Sequence, residues 1–180
     1  MAQMAIFDEE LAEKVKSAIE EILRIDFRFA VKIGKGRPDW IMKDLDEDLY
    51  YIGILSRIGR PINAYMLMVI DFASADEMMN SLINDHIFNF DDFKQSAMQE
   101  FCNIAIGAFA SEIGRKMGAR IDYTIPLVAV DMPSALTDAI TAIVSDCNTD
   151  QIEMNFLSEL PPIKIKLIMF KDGDQDQPQT

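Results

Sequence analysis

The hydrophobic and polar positions divide the chain into alternating blocks. From Phe7 to Ile25, apolar residues return at Leu11, Val15, Ala18, Ile19 and Ile22, a helical period. Asp8, Glu9 and Glu10 stand at its start, where negative charge suits the helix dipole. FRFAVKI alternates as a strand does and ends at the turn-forming GKGRPD. YYIGILS and INAYMLMVIDF flank RIGRP and predict a hairpin. SADEMMNSLIND predicts a short helix capped by Ser74. The longest helix is predicted from Asp91 to Met117, with Gly118 as its C-terminal stop. ARIDYTI and TDAITAIVS are expected as strands, with helix and strand signals competing in the second, and DMPSAL between them as a loop. QIEMNFLSEL is ambiguous, and the segment from Cys147 to Pro162 is expected to be a long loop. IKIKLIMF predicts a strand. One domain over residues 1–171 and a disordered polar tail over 172–180 are expected.

SAIEEILR at residues 17–24 is echoed by SAMQEFCN at 96–103. Both phrases fall on the first helix of their half of the chain, which suggests an internal duplication, each half giving one helix and about three strands to a common sheet. They differ at the last place, Arg24 against Asn103.

The bulk numbers narrow the function. A net charge of −13 argues against nucleic acid and against an anionic membrane surface, both of which are bound by neutralising them. The apolar runs AYMLMVI and IKIKLIMF are too short to span a bilayer. The N-terminus lacks the basic and apolar regions of a signal peptide. Two distant cysteines, Cys102 and Cys147, form no disulfide framework and are expected as buried thiols. The cytoplasm is the expected compartment. A single histidine, His86, excludes a multi-histidine metal site and reads as a helix-end cation. GKGRPD lacks the spacing of a phosphate-binding loop, and DLDEDL at 44–49 lacks that of a calcium loop and reads as a solvated turn.

What remains is a polar seam on the long helix. At about 100° per residue, Ser96, Glu100, Asn103, Gly107 and Gly114 share a wedge about 60° wide, amid mostly apolar neighbours including Ile104. Helix glycines cost about 1 kcal/mol each relative to alanine, so close approach of another backbone is expected at the seam. Asn is a poor helix former, and its mid-helix place asks for a cause. An Asn amide can hold and aim a water. For any one of these residues alone the plainer reading is a polar side chain on a solvated helix face; their combination favours a site.

The spacing resembles the CheC/CheX/FliY family of chemotaxis phosphatases. Their pattern Ser/Asp-x3-Glu-x2-Asn-x22-Pro is matched by Ser96, Glu100, Asn103 and, after 22 intervening residues, Pro126, with Gly107 four residues beyond the asparagine. The element order is similar to CheX along nearly the whole chain. The resemblance implies an α/β (α+β) fold with two pseudo-symmetric long helices packed on a sheet of about six strands. It implies a substrate, the aspartyl phosphate of a phosphorylated CheY-like receiver. The receiver would supply Mg²⁺ and a lysine, and this chain would need no cofactor or metal of its own. Asn103 would orient the attacking water and Glu100 would pair with the receiver lysine. Ser96, Gly107 and Pro126 would shape the site and its partner contact, Gly107 by letting the receiver approach. Arg24 in place of the amide would make SAIEEILR an inactive twin, leaving one site per chain. Phe101 and Cys102 are bulkier than the family's usual residues there. A homodimer through sheet edges is also implied. Two other readings stay open: a non-catalytic adaptor for a receiver or flagellar-switch partner, and regulation by dimerisation through methionine-rich surfaces.

Overall fold

The computed structural model describes residues 8–36, 43–84, 90–144 and 149–171. In order they form α1 (Glu9–Leu23), β1 (Arg28–Gly36), β2 (Tyr51–Ile58), β3 (Ala64–Asp71), α2 (Phe72–Ile83), α3 (Asp92–Met117), β4 (Leu127–Asp131), α4 (Pro133–Ile143), β5 (Thr149–Glu159) and β6 (Pro162–Lys171). The six strands make one sheet in the order β1-β5-β6-β3-β2-β4, every pair antiparallel. Among the described residues, no helix is long and apolar enough to cross a membrane. His86, Cys147 and residues 172–180 lie outside the described residues.

The strand order carries the duplication. β3 and β6 pair at the centre, each hairpin with its own predecessor, β2 or β5. The outer strands then cross over: β1 pairs with β5 of the second half, and β4 with β2 of the first. The echoed phrases, however, do not coincide in this arrangement. Arg24 is the left-handed C-cap of α1, with φ of 56°, and its N–H donates to the Glu20 carbonyl. Its counterpart at the end of α3 is Gly118, also left-handed, so SAIEEILR matches the last turns of α3 rather than its middle. Aligning the two caps sets buried Leu11, Ala12, Val15 and Ile19 against buried Ala105, Ile106, Phe109 and Ile113. On that alignment Glu9, the first residue of α1, takes the place of Asn103. α1 therefore carries no Glu/Asn pair in the place matching Glu100 and Asn103, and SAIEEILR is not the twin of SAMQEFCN.

Alternation along the strands divides the interior in two. Ile52, Ile54, Met66, Met68, Ile165 and Leu167 face α1, α2 and α3 in the main core. Phe101, Cys102 and Phe109 fill that core from α3, so the two bulky residues between Glu100 and Asn103 point away from the seam. Full burial of such a phenylalanine contributes roughly 1.5–3 kcal/mol. Tyr51, Leu55, Leu67, Val69 and Phe170 face the other way, under Leu136 and Ile140 of α4. Most methionines, among them Met66, Met68, Met78, Met79, Met98 and Met154, are core, which leaves few for a methionine-rich docking surface.

Four local expectations are corrected. Residues 137–143 of TDAITAIVS, expected as a strand, belong to α4, which begins inside DMPSAL. Pro133 opens it, Leu136 and Ile140 share its buried face, and Thr137 and Thr141 satisfy their hydroxyls on carbonyls four residues back at 2.8 Å. ARIDYTI gives only an isolated bridge, Tyr123 to Ile58; the strand is the following LVAVD. QIEMNFLSEL up to Glu159 is strand β5, so the supposed loop is largely strand. The cap of α2 is Asp71, whose carboxylate accepts the Ser74 N–H and hydroxyl, each at 2.8 Å. Residues 44–49 are a turn with mostly exposed side chains, as expected.

Candidate functional site

The site is built on α3 and on the segment that follows it. Asp91 caps the helix through the Lys94 N–H, and Gly118 ends it in the left-handed conformation. The chain then turns back beside the helix. The Ala119 N–H donates to the Gly114 carbonyl at 3.0 Å, and a Cβ on Gly114 would lie 2.6 Å from the Ala119 carbonyl oxygen. Gly114 is thus the glycine that a close backbone requires. Further along, β2 holds the segment: the Asp122 carbonyl accepts from Gly59 N–H at 2.7 Å, and Thr124 N–H donates to the Arg57 carbonyl at 3.0 Å. The Ser56 hydroxyl donates to the Thr124 carbonyl at 2.8 Å. On the helix side, the Gln99 amide donates to the Pro126 carbonyl. Pro126 is buried, so its part in the site is structural.

Against this wall stands the seam. Glu100 is exposed and Asn103 is half-buried. Three residues apart, they are neighbours on one helix face. Among the described residues neither side chain has a hydrogen bond or an ion pair. Ser96 is exposed and donates its hydroxyl back to the Asp92 carbonyl at 2.8 Å. Two apolar side chains flank the pair in solvent: Phe93 at 65% exposure and Ile104 at 39%. The wheel had grouped Ile104 with the buried positions. A Cβ on Gly107 would come within 3.0 Å of the Tyr123 hydroxyl oxygen, so this glycine already has an intramolecular occupant. Gln99 and Tyr123 are the site residues that the sequence reading missed. Both follow from the fixed offset between Asn103 and Pro126, which lays residues 119–126 beside the helix.

Electrostatics tie the far end of α3 to the start of α1. Lys116 pairs with Asp8 and with Glu10, the latter at 3.2 Å, while Arg115 pairs with Glu112 at 2.6 Å and Glu10 at 3.1 Å. The Arg115 hydrogen bond holds the nearly buried Glu112 carboxyl below its ordinary value, and the Lys116 hydrogen bond does the same for Asp8. Burial pushes the Cys102 thiol far up, so it is an inert core group. No three His, Cys, Asp or Glu side chains converge as a metal site among the described residues.

The sequence matches no protein-family profile. Solved structures do match. FliY of Thermotoga maritima aligns with a TM-score of 0.67 at 18% identity, over 91% of this chain and 85% of that one. The fold is that of the CheC/CheX/FliY-type chemotaxis proteins. A CheX–CheY–BeF3–Mg²⁺ complex from Borrelia burgdorferi aligns with a TM-score of 0.64 at 15% identity, over 91% of this chain and 96% of that one. FliM from H. pylori, solved with SpeE, aligns with a TM-score of 0.66 at 12% identity, over 94% of this chain and 86% of that one. It is the TM-scores, at identities of 12–18%, that carry this likeness of fold. The Glu100/Asn103 pair on the central CheX-type helix is a property of this chain's own residues.

Proposed function

We propose that this protein is a phosphatase of a phosphorylated CheY-like receiver. The observation that carries the reading is Glu100 beside Asn103 on α3, with neither side chain engaged by the described residues. A free carboxylate and a free amide on a rigid helix can be inserted into a partner's site without breaking bonds of their own. Asn103 orients a water in line with the aspartyl phosphate, and Glu100 pairs with the receiver's lysine and fixes the docked register. Phosphoryl transfer through a loose transition state asks mainly for such positioning, so receiver-bound Mg²⁺ and the receiver's own groups supply the remaining charge stabilisation. The chemotaxis setting, a cytoplasmic place and a homodimer belong to the same reading. It is supported by the CheX-type fold and by the neighbour solved with CheY.

A second reading is a non-catalytic adaptor. The FliM neighbour, solved in complex with SpeE, favours it, because likeness of fold does not by itself carry an activity. Loss of phosphate from a labelled CheY-type receiver with Mg²⁺ separates the two. Wild type should accelerate it, and Asn103→Ala should lose that acceleration by about 10²-fold, the order expected when a reacting group is mispositioned. Binding without acceleration by wild type would leave the adaptor.

A further inference from the structure

We infer that the Tyr123 hydroxyl is a further partner-binding group of this site, a positioning residue contributed by the segment after α3 and seated in the seam by Gly107. The inference rests on the receiver-binding reading above.

Three observations lead to it. The Tyr123 ring packs against the main core, so its place is fixed by burial rather than by the hydroxyl. The hydroxyl oxygen lies 3.0 Å from where a Gly107 Cβ would be, over the axis of the polar seam. Among the described residues no hydrogen bond is made to or from that hydroxyl. A phenol can donate and accept, and here it borders an open hollow of about 410 Å³ lined by Gly107, Ser111 and Gly114.

Gly107 is one turn beyond Asn103, a rise of about 6 Å. At that distance the hydroxyl does not reach a phosphoryl group held at the Asn103 amide. It reaches the receiver surface beside it, a backbone carbonyl or N–H or a polar side chain. Glu100, Asn103 and Tyr123 then give three polar contacts spaced along the seam, which set the receiver's register along the helix and its tilt against it. Gly107 takes a different role from the one its spacing suggests. It makes room for Tyr123, and through Tyr123 for the receiver.

A double-mutant cycle tests this, with binding read on a CheY-type receiver loaded with beryllofluoride and Mg²⁺, and turnover on the phosphorylated receiver. Tyr123→Phe removes only the hydroxyl. It should weaken binding about fivefold, the worth of about one hydrogen bond, with the loss carried by KM rather than kcat. Gly107→Ala should displace the hydroxyl and cost a similar factor. In the Tyr123→Phe background, Gly107→Ala should cost nothing further, since no oxygen remains to displace. Alanine favours the helix, so Gly107→Ala in the Tyr123→Phe background, where the oxygen is gone, should melt at or above its parent. Tyr123→Phe binding as wild type, or Gly107→Ala costing the same factor in both backgrounds, would overturn the inference. Wild type that binds but does not hydrolyse, with Tyr123→Phe weakened, would uphold it while removing the phosphatase. Wild type that fails to bind would remove the functional reading and this inference together.

Discussion

Asn103 and Gln99 are both amides on α3, one turn apart, and they do opposite things. The Gln99 amide is used up on the Pro126 carbonyl, tying the entry to β4 onto the helix. The Asn103 amide is left over. That difference follows from what lies opposite each residue, because Pro126 is buried against the first and the seam is open beside the second. Replacing Gln99 by methionine keeps its length and deprives a buried carbonyl of its donor. The expected cost is about 1–2 kcal/mol, or a melting temperature lower by about 2–8 °C at about 2–4 °C per kcal/mol for a chain of this size. A thermal scan checks it, and an unchanged melting point would mean that Pro126 is held by its packing alone.

Among the elements, α1 and α3 form the pair that sets the site's height above the sheet. Acidic residues at the N-terminus of α1 meet Arg115 and Lys116 at the C-terminus of α3, each charge placed where the helix dipole favours it. The pairs lower the carboxyl pKa of Asp8 and Glu112 below their ordinary 3.8 and 4.5. A depressed carboxyl stabilises the fold above its unfolded pKa and loses that contribution as pH falls through the folded value. Stability from this clamp should therefore be complete above about pH 4.5 and decline on further acidification. Glu112→Gln should lower the melting temperature near neutrality and flatten its fall between about pH 5 and pH 3 relative to wild type. Parallel acid profiles for the two proteins would show that Glu112 is not part of the acid response. Arg24 shows the same scale from another side. As a left-handed cap it ends α1 after 15 residues, while α3 runs for 26. The extra length of α3, residues 92–102, lies on its N-terminal side and includes Glu100, with Asn103 the next residue along.

For the whole molecule, the crossed outer strands decide the folding unit. Among the described residues, β1 has its only partner strand, β5, in the second half, and β4 has its only partner strand, β2, in the first. The central β3–β6 ladder also joins the halves. A fragment of residues 1–90 would expose one side of β3 and leave β1 without a partner strand, edges that invite association. Expressed alone it should show no cooperative unfolding transition, and mixing with residues 91–180 should restore one. A cooperative melt of the first fragment by itself would contradict an obligate two-half sheet.

Long elements with strong periodicity were legible in the chain. α1, α3, the β2–β3 hairpin and β6 follow from apolar spacing and turn residues, since a buried face imposes its period on the sequence. The Glu100, Asn103 and Pro126 spacing, with its resemblance to the CheC/CheX/FliY pattern, indicated both the fold and the helix that carries the candidate site. Short elements were not legible. TDAITAIVS carries apolar residues compatible with either period, and its helix is decided by Pro133 at one end and the second core beneath Leu136 and Ile140. The echo of SAIEEILR in SAMQEFCN misled for a related reason: helices reuse the same burial period every few turns, so a local match does not fix which turns correspond. The left-handed caps do. The buried periods and the residues of the candidate pair are readable from residue order alone. That Gly107 is filled by Tyr123, that Gln99 is spent on Pro126 and that each half completes the other's sheet emerges from the folded chain. Those facts depend on contacts between residues distant in the chain, which no local period encodes.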